Sequence, residues 1–511
     1  MGSGGARWLT VAAVAASFFW MLGAAPLFDV DEGAFSQATL EMFQRGDFLS
    51  TYLNGQPRYD KPILVYWLQA ASVALLGPTE WAFRLPSALC ATGWAWLTYL
   101  FVRRHYGVER ALFAAALLAT SLGVYIIGRA ATADALLNLL LAAAMFAAWL
   151  HLSSGERKWL YATHAAIGLG VLAKGPIAIL VPLAVTFIFC WLRRDLRTWA
   201  RAVFDWRALL VLIAIAAPWY IVILLKEGRA FIDGFILKHN VGRFSGPVSG
   251  HAGSLLYYFP IVLVLTLPFT ALLVPVAQRF RSVWRDDLQL YLLLWFAFVF
   301  VFFSLSGTKL PHYLIYGYTG LAILMAVHGT DVKGVFWPML PVLSFFLALL
   351  ALPYAIHFSL GRIADGFYRE ALGAALERFD TFYFGFFSVL CALVIFAMLE
   401  RATTLPRKFA VFGLASVAAL STLVVPAAGF AQQSAIKEAA ELARERQLEP
   451  VMWRLNAPSF SVYRGAPTPS REPQPGDVIV TRADRLSELP NGLQFDLLYS
   501  KRGIVMARIR A

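Results

Sequence analysis

Val30-Asp31-Glu32-Gly33-Ala34-Phe35 opens, and Arg58-Tyr59-Asp60-Lys61-Pro62 closes, a polar stretch set between two hydrophobic runs. Inside it stand Gly46-Asp47 and the pair Asn54-Gly55, a tight-turn signal. Adjacent carboxylates at one end and a carboxylate beside a lysine at the other gather charge where the chain leaves an apolar span. Beside a bilayer such groups are expensive, and they mark functional ground.

The chain around this stretch is 511 residues long, 59% hydrophobic and only 15% charged. Soluble domains carry about 25% charged residues, so the balance is that of a polytopic membrane protein. A hydrocarbon core about 30 Å thick needs about 20 apolar residues per helix, and runs of that length recur; hydropathy with loop charge predicts about thirteen spans. The net charge of +13 lies mainly in short loops, where it sets orientation instead of forming a nucleic-acid groove. Cys90, Cys190 and Cys391 each fall in an apolar run, without metal-ligand spacing, and read as small buried hydrophobes. The first span, Trp8 to Pro26, has Arg7 before it and Gly23-Ala24-Ala25 near its end, like a signal peptide. With many spans following, an uncleaved anchor is expected.

With a cytoplasmic amino terminus, basic clusters mark every second loop: Arg103 to Arg110, Arg157-Lys158, Arg193 to Arg207, Arg279 to Arg285, Lys333, and Arg401 to Lys408. The opposite, periplasmic side then receives Asp31 to Lys61, Arg129 to Asp134, Lys174-Gly175-Pro176, Lys226 to His251, Lys309 to His312 and Phe358 to Phe382. Positive charge on that side opposes the orientation rule, so a cluster of Lys, Arg, His and Asp there predicts a site for an anionic, membrane-borne substrate.

Within the first outer loop, Gly33 to Gln44 has helical spacing and predicts an interfacial helix; Pro62 opens a second short helix, Ile63 to Leu76, stopped at Gly77-Pro78. Residues 1–430 form the expected membrane domain, with 27–79 as its loop of interfacial helices. Residues 431–511 form an expected small α/β domain, periplasmic by the same register. There Ser434 to Arg446 reads as an amphipathic helix, and Val451 to Leu455, Phe460 to Tyr463, Asp477 to Thr481, Phe495 to Tyr499 and Ile504 to Ile509 read as strands.

Asp31 or Glu32 suits a general base, or a group stabilising positive charge at a sugar carbon; an acidic helix cap is the plainer alternative. Asp134, at the start of a span, has the same two readings. Lys61 before Pro62 offers a point charge for phosphate near a helix start. Tyr59 shares that wall, although with Tyr66 and Trp67 it equally suits an aromatic belt. Arg129, Lys174, Arg243, Lys309 and His312 are further candidate anion contacts. Walker, HExxH and Rossmann patterns do not occur, so no nucleotide cofactor is expected and any driving energy would come from an activated substrate.

In order, Asp31-Glu32, Gly46-Asp47, Asn54-Gly55, Tyr59-Asp60-Lys61-Pro62, Tyr66-Trp67-Leu68, Leu76-Gly77 and Arg84-Leu85-Pro86 resemble the ArnT and protein O-mannosyltransferase group of integral membrane glycosyltransferases. Leu172 to Pro176, His239 with Arg243-Phe244, and Lys309 to Tyr313 resemble its landmarks as well. The resemblance implies an all-helical GT-C fold and an undecaprenyl-phosphate sugar as donor. It further implies inverting transfer in the periplasm to a lipid-linked acceptor such as lipid A or lipopolysaccharide, by a monomer. It places Asp31 and Asp134 at catalytic acidic positions, Lys61 and Arg243 on the donor phosphate, and Lys174 as a further polar contact. Asp60 and His239 match positions holding a divalent metal, zinc or magnesium, but the family often has Glu where this chain has Asp60, one methylene shorter. A transporter of lipid-linked sugars would share the phosphate contacts, and would need broken helices with charge near the bilayer midplane.

Overall fold

The structure, a computed structural model, describes residues 3–242, 253–489 and 493–510. Arg243 and His251 therefore lie outside the described residues. Nine helices carry residues 3–192: α1 (Ser3–Phe18), α2 (Asp31–Arg45), α3 (Leu64–Leu76), α4 (Glu80–Tyr106), α5 (Val108–Thr120), α6 (Leu122–Arg129), α7 (Asp134–Ser154), α8 (Arg157–Lys174) and α9 (Ile177–Leu192). Seven described helices are long and apolar enough to cross a membrane, or up to nine if each of two bent pairs is one span. The figure of about thirteen would need α1, α8, α9 and Ile315–Gly329 to cross too. These helices of 15 to 18 residues are at or below the usual spanning length.

The basic loops gather at one end of the bundle. Asp331 accepts from Arg110 at 3.1 Å and from Arg279 at 3.3 Å, and Arg193 pairs with Asp287 at 2.6 Å. The loops expected to carry the site converge at the other end.

There the first outer loop folds as its sequence directs. Acidic residues fill the first turn of α2, where they complement the helix dipole, and Gly46 at φ 63° closes it with its N–H on Met42 and Phe43 carbonyls. Asn54 (φ 51°) and Gly55 (φ 82°) make the turn between β1 (Tyr52–Leu53) and β2 (Gln56–Pro57). The Glu41 carboxylate accepts from both turn N–H groups, at 2.6 and 3.0 Å, fixing the hairpin to α2. The sequence pattern does not reveal how far α2 is enclosed. Ser36, Gln37, Thr39 and Glu41 are all buried, with Thr39 bonded to Gln69 of α3 at 2.8 Å.

The carboxyl-terminal sheet has the order β3 (Pro450–Met452), β4 (Val478–Arg482), β6 (Ile504–Ile509), β5 (Phe495–Lys501); β3 and β4 run parallel and the other pairs antiparallel. The expected helix is present as Ser434–Glu445. The expected strand Phe460 to Tyr463 is instead part of a helix, Pro458–Arg464. Pro458 pre-sets helical φ in its first turn and Gly465, at φ 80°, terminates it. Phe460 and Tyr463 bury against α2 and α4 where a strand would have joined the sheet.

Candidate active site

Two cavities meet at Asp31. The larger, about 660 Å³, is lined by Asp31, Arg58, Tyr59, Asp60, Lys61, Lys174 and His239, among others. The smaller, about 330 Å³, is lined by Asp29, Glu32, Arg84 and Arg129. Asp31, Thr132, Asp134 and His312 belong to both walls. Segments distant in sequence thus supply one cleft.

Asp31 is the first residue of α2. Val30 holds the cap position without a side-chain cap bond, so the Asp31 carboxylate is not used as a cap. It is exposed to both cavities, and among the described residues it makes no hydrogen bond or ion pair.

Glu32, one residue on, has the opposite surroundings. It is buried and accepts from Phe28 N (2.9 Å), Ala131 N (2.8 Å), and Arg84 Nε (2.9 Å) and Nη2 (2.7 Å). Arg84 also donates to the carbonyls of Leu22, Ala25 and Pro26 at 2.7–2.9 Å, tying down the chain leaving α1. Burial alone would raise the Glu32 carboxyl, but Arg84 outweighs it and holds the group below its ordinary range. Glu32 acts as a fastener beside the expected base.

Asp134 opens α7, with Ala133 at its cap position. Its Oδ1 accepts from Tyr316 Oη at 2.6 Å and from Lys174 Nζ, and His312 Nε2 lies 3.8 Å away. Lys174 is therefore paired with Asp134 within the cleft. Burial pushes the His312 imidazole down, with Asp134 partly opposing, which favours the neutral ring.

Arg58 was not foreseen. Its Nε and Nη2 donate to the two Asp60 oxygens at 2.6 and 2.8 Å, with its guanidinium 5.2 Å from the centre of the Phe35 ring. Burial would raise Asp60, yet Arg58 and then Lys61 hold it well below the usual carboxylate range. Lys61 Nζ donates to the Asp60 carbonyl at 2.9 Å and lines the larger cavity. Both Asp60 oxygens already face a guanidinium, and among the described residues no group of three or more His, Cys, Asp or Glu converges. Asp60 and His239 would therefore supply at most two protein ligands to a divalent ion, the rest coming from water or substrate phosphate, and Asp60 could serve only by loosening its pair with Arg58.

Tyr59 lines the larger cavity and donates to Glu227 at 2.8 Å; burial and Glu227 push its phenol up to about 12, leaving it a donor. Arg129 faces the smaller cavity while donating to Ser17 O (3.0 Å), Trp20 O (2.9 Å) and Ser421 Oγ (3.0 Å). Lys309 is buried, with its ammonium on the Ser304 and Ser306 carbonyls at 2.6 and 2.9 Å, where it stabilises the end of helix Asp287–Leu305. Thr132, Tyr316 and Asn456 were missed with Arg58. Only Arg58 had a readable signal, its place in the Arg58-Tyr59-Asp60-Lys61 block.

Fold and cleft together define a multi-pass membrane protein of GT-C architecture, with a mixed acidic and basic site at one end of its helix bundle. A family described as dolichyl-phosphate-mannose-protein mannosyltransferase matches residues 60–222. An uncharacterized protein of Aquifex aeolicus is 30% identical over 311 residues, covering 61% of this chain and 69% of that one. The undecaprenyl phosphate-alpha-4-amino-4-deoxy-L-arabinose arabinosyl transferase of Aeromonas hydrophila is 33% identical over 325 residues, 61% of this chain; the match spans 58% of that relative's length. The crystal structure of ArnT from Cupriavidus metallidurans bound to undecaprenyl phosphate superposes with a TM-score of 0.80 at 19% identity, over 99% of this chain and 98% of that one. The chain belongs to the ArnT and protein O-mannosyltransferase-like family of membrane glycosyltransferases.

Proposed function

We propose that the chain is an inverting glycosyltransferase that moves a sugar from an undecaprenyl-phosphate carrier to a periplasmic envelope acceptor, lipid A or a related glycolipid. The carrying observation is the Asp31 carboxylate, exposed where two cavities meet and unbonded among the described residues. Glu32 and Asp134, by contrast, are tied up in buried ion pairs, which leaves Asp31 the carboxylate of the cleft open to a substrate.

In this reading the larger lobe takes the donor, its phosphate beside Lys61. Arg243 joins Lys61 on the resemblance. The acceptor oxygen, entering by the smaller lobe, attacks the anomeric carbon from the face opposite the phosphate. The new glycosidic bond forms as the old carbon–oxygen bond breaks, and polyprenyl phosphate leaves with the electron pair. Lys61 stabilises that growing negative charge, an electrostatic contribution. A hydroxyl acceptor passes its proton to Asp31. A phosphate acceptor is already ionised, and Asp31 then orients it and faces the cationic sugar carbon. Lys174, Tyr316 and His312 hold Asp134 in place beside it.

The transporter reading is less well supported. The bent pairs α5–α6 (65°) and Tyr258–Leu265 with Thr270–Gln278 (114°) touch through Leu122 N and Leu267 O at 2.9 Å. The groups at this junction, Ser121 with Tyr318, are uncharged.

Reconstituted protein given undecaprenyl-phosphate sugars and lipid A should release undecaprenyl phosphate and form glycosylated acceptor. Asp31→Asn and Lys61→Ala should each lower kcat/KM at least about a hundred-fold, the scale of one lost general-base or charge-stabilising group. Wild-type-like turnover in both variants would remove these site roles, and sugar-lipid movement without transfer would favour the transporter.

A further inference from the structure

The wall of the larger cavity contains one residue from beyond 431, Asn456, among the described residues. It stands in the bend between β3 and helix Pro458–Arg464, and its exposed side chain makes no hydrogen bond to the described residues. Around it the carboxyl-terminal domain is locked to the catalytic loop on both sides of Asp31. Ser459 N donates to Asp29 at 2.9 Å and Ser459 Oγ bonds the same carboxylate. Leu27 N donates to Tyr463 Oη at 2.7 Å, and Ser461 Oγ donates to Asn54 of the hairpin turn at 2.7 Å. Gly33 of α2 lies so near that an added Cβ would sit 2.5 Å from Ser459 N.

Asn456 makes no hydrogen bond among the described residues, and it stands just before a helix held to the catalytic loop through Ser459, Ser461 and Tyr463. We infer that Asn456 is a specificity-determining contact to the donor sugar. The inference rests on the reading that the Lys61 lobe holds the donor. The cavity's cationic wall, Lys61 with Arg58, suits the phosphate. A neutral amide instead presents two N–H donors and one carbonyl acceptor, the complement of sugar hydroxyl or amino groups. The carboxyl-terminal domain then helps to select which sugar is transferred, and membrane-domain residues hold the phosphate common to all donors.

The test compares full-length wild type with Asn456→Ala and Asn456→Gln, using undecaprenyl phosphate and a panel of undecaprenyl-phosphate sugars, by binding and by turnover. The alanine variant should weaken binding of the preferred sugar donor about ten-fold, the loss of one good hydrogen bond, and flatten selectivity across the panel. Its affinity for bare undecaprenyl phosphate should stay within two-fold, and Asn456→Gln should recover part of the loss. Equal weakening of both ligands, or no change in either, would overturn the inference. Absence of wild-type turnover would overturn the glycosyltransferase reading separately, with the binding comparison still deciding the role of Asn456.

Discussion

Asp31 and Glu32 are neighbours with the same chemistry and opposite fates, because one step along a helix turns a side chain by about 100°. That turn leaves Asp31 facing the cleft and drives Glu32 under the chain onto Arg84. A buried, hydrogen-bonded ion pair loses about 3–5 kcal/mol when one partner is removed, since the other is left charged without compensation. Arg84→Ala and Glu32→Ala should each destabilise the purified protein by that amount, with Asp31→Asn nearly neutral, as read by thermal unfolding in detergent. Similar unfolding temperatures for all three would refute the distinction. The Glu32 carboxyl is held below its ordinary 4.5, so its contribution is full above that pH and is lost as pH falls further. The sequence shows the acidic pair, and it shows Lys61. It does not show which carboxylate is spare, because that depends on where α2 starts and on an arginine 52 positions away. Arg58 was hidden for a related reason: its pairing with Asp60 competes with the metal reading, and only geometry displays the competition.

At the scale of elements, helix Pro458–Arg464 joins the carboxyl-terminal sheet to the loop bearing Asp31, and Asp29 is the contact that responds to pH. Burial pushes the Asp29 carboxyl up from 3.8 to about 7, against the two Ser459 hydrogen bonds that pull it down and with a small further push from the Glu32 charge. Between those values the folded protein keeps the proton that the unfolded chain has lost. The unfolded state then binds fewer protons, so stability falls as pH rises through this window and levels off above it. Asp29→Asn should abolish that component. Its unfolding temperature relative to wild type should climb from pH 4 to pH 7 and then hold steady; a constant difference over this range would count against the buried carboxyl. Local signals made α2, α3 and the Asn54-Gly55 turn legible, because caps, turn residues and periodicity act over a few residues. Phe460 to Tyr463 misled, since a short aromatic run suits a strand or a buried helix turn equally and the deciding contacts come from α2 and α4.

At the scale of the whole molecule, charge segregates along the bundle. The loops rich in Arg and Lys are joined through Asp331 and Asp287 at one end, and the cleft and carboxyl-terminal sheet occupy the other. This two-ended arrangement was legible as alternation of loop charge, because that signal accumulates over many loops. The number of crossings was less so, since short helices such as α3 and α9, with 13 and 16 residues, are apolar without being long enough to decide it. The positive-inside rule then predicts that the basic end faces the cytoplasm and the cleft the periplasm. Exposed serines at the two ends make this testable: Ser282, in the basic loop Arg279 to Arg285, and Ser487, beside the carboxyl-terminal sheet. Cys190 and Cys391 are buried and Cys90 is partly so, which keeps background labelling low. In intact cells with a permeable outer membrane, a membrane-impermeant maleimide should label Ser487→Cys and leave Ser282→Cys unmodified until the inner membrane is breached. The reverse pattern would invert the molecule. The cleft would then open toward the cytoplasm, and a periplasmic acceptor could not reach Asp31.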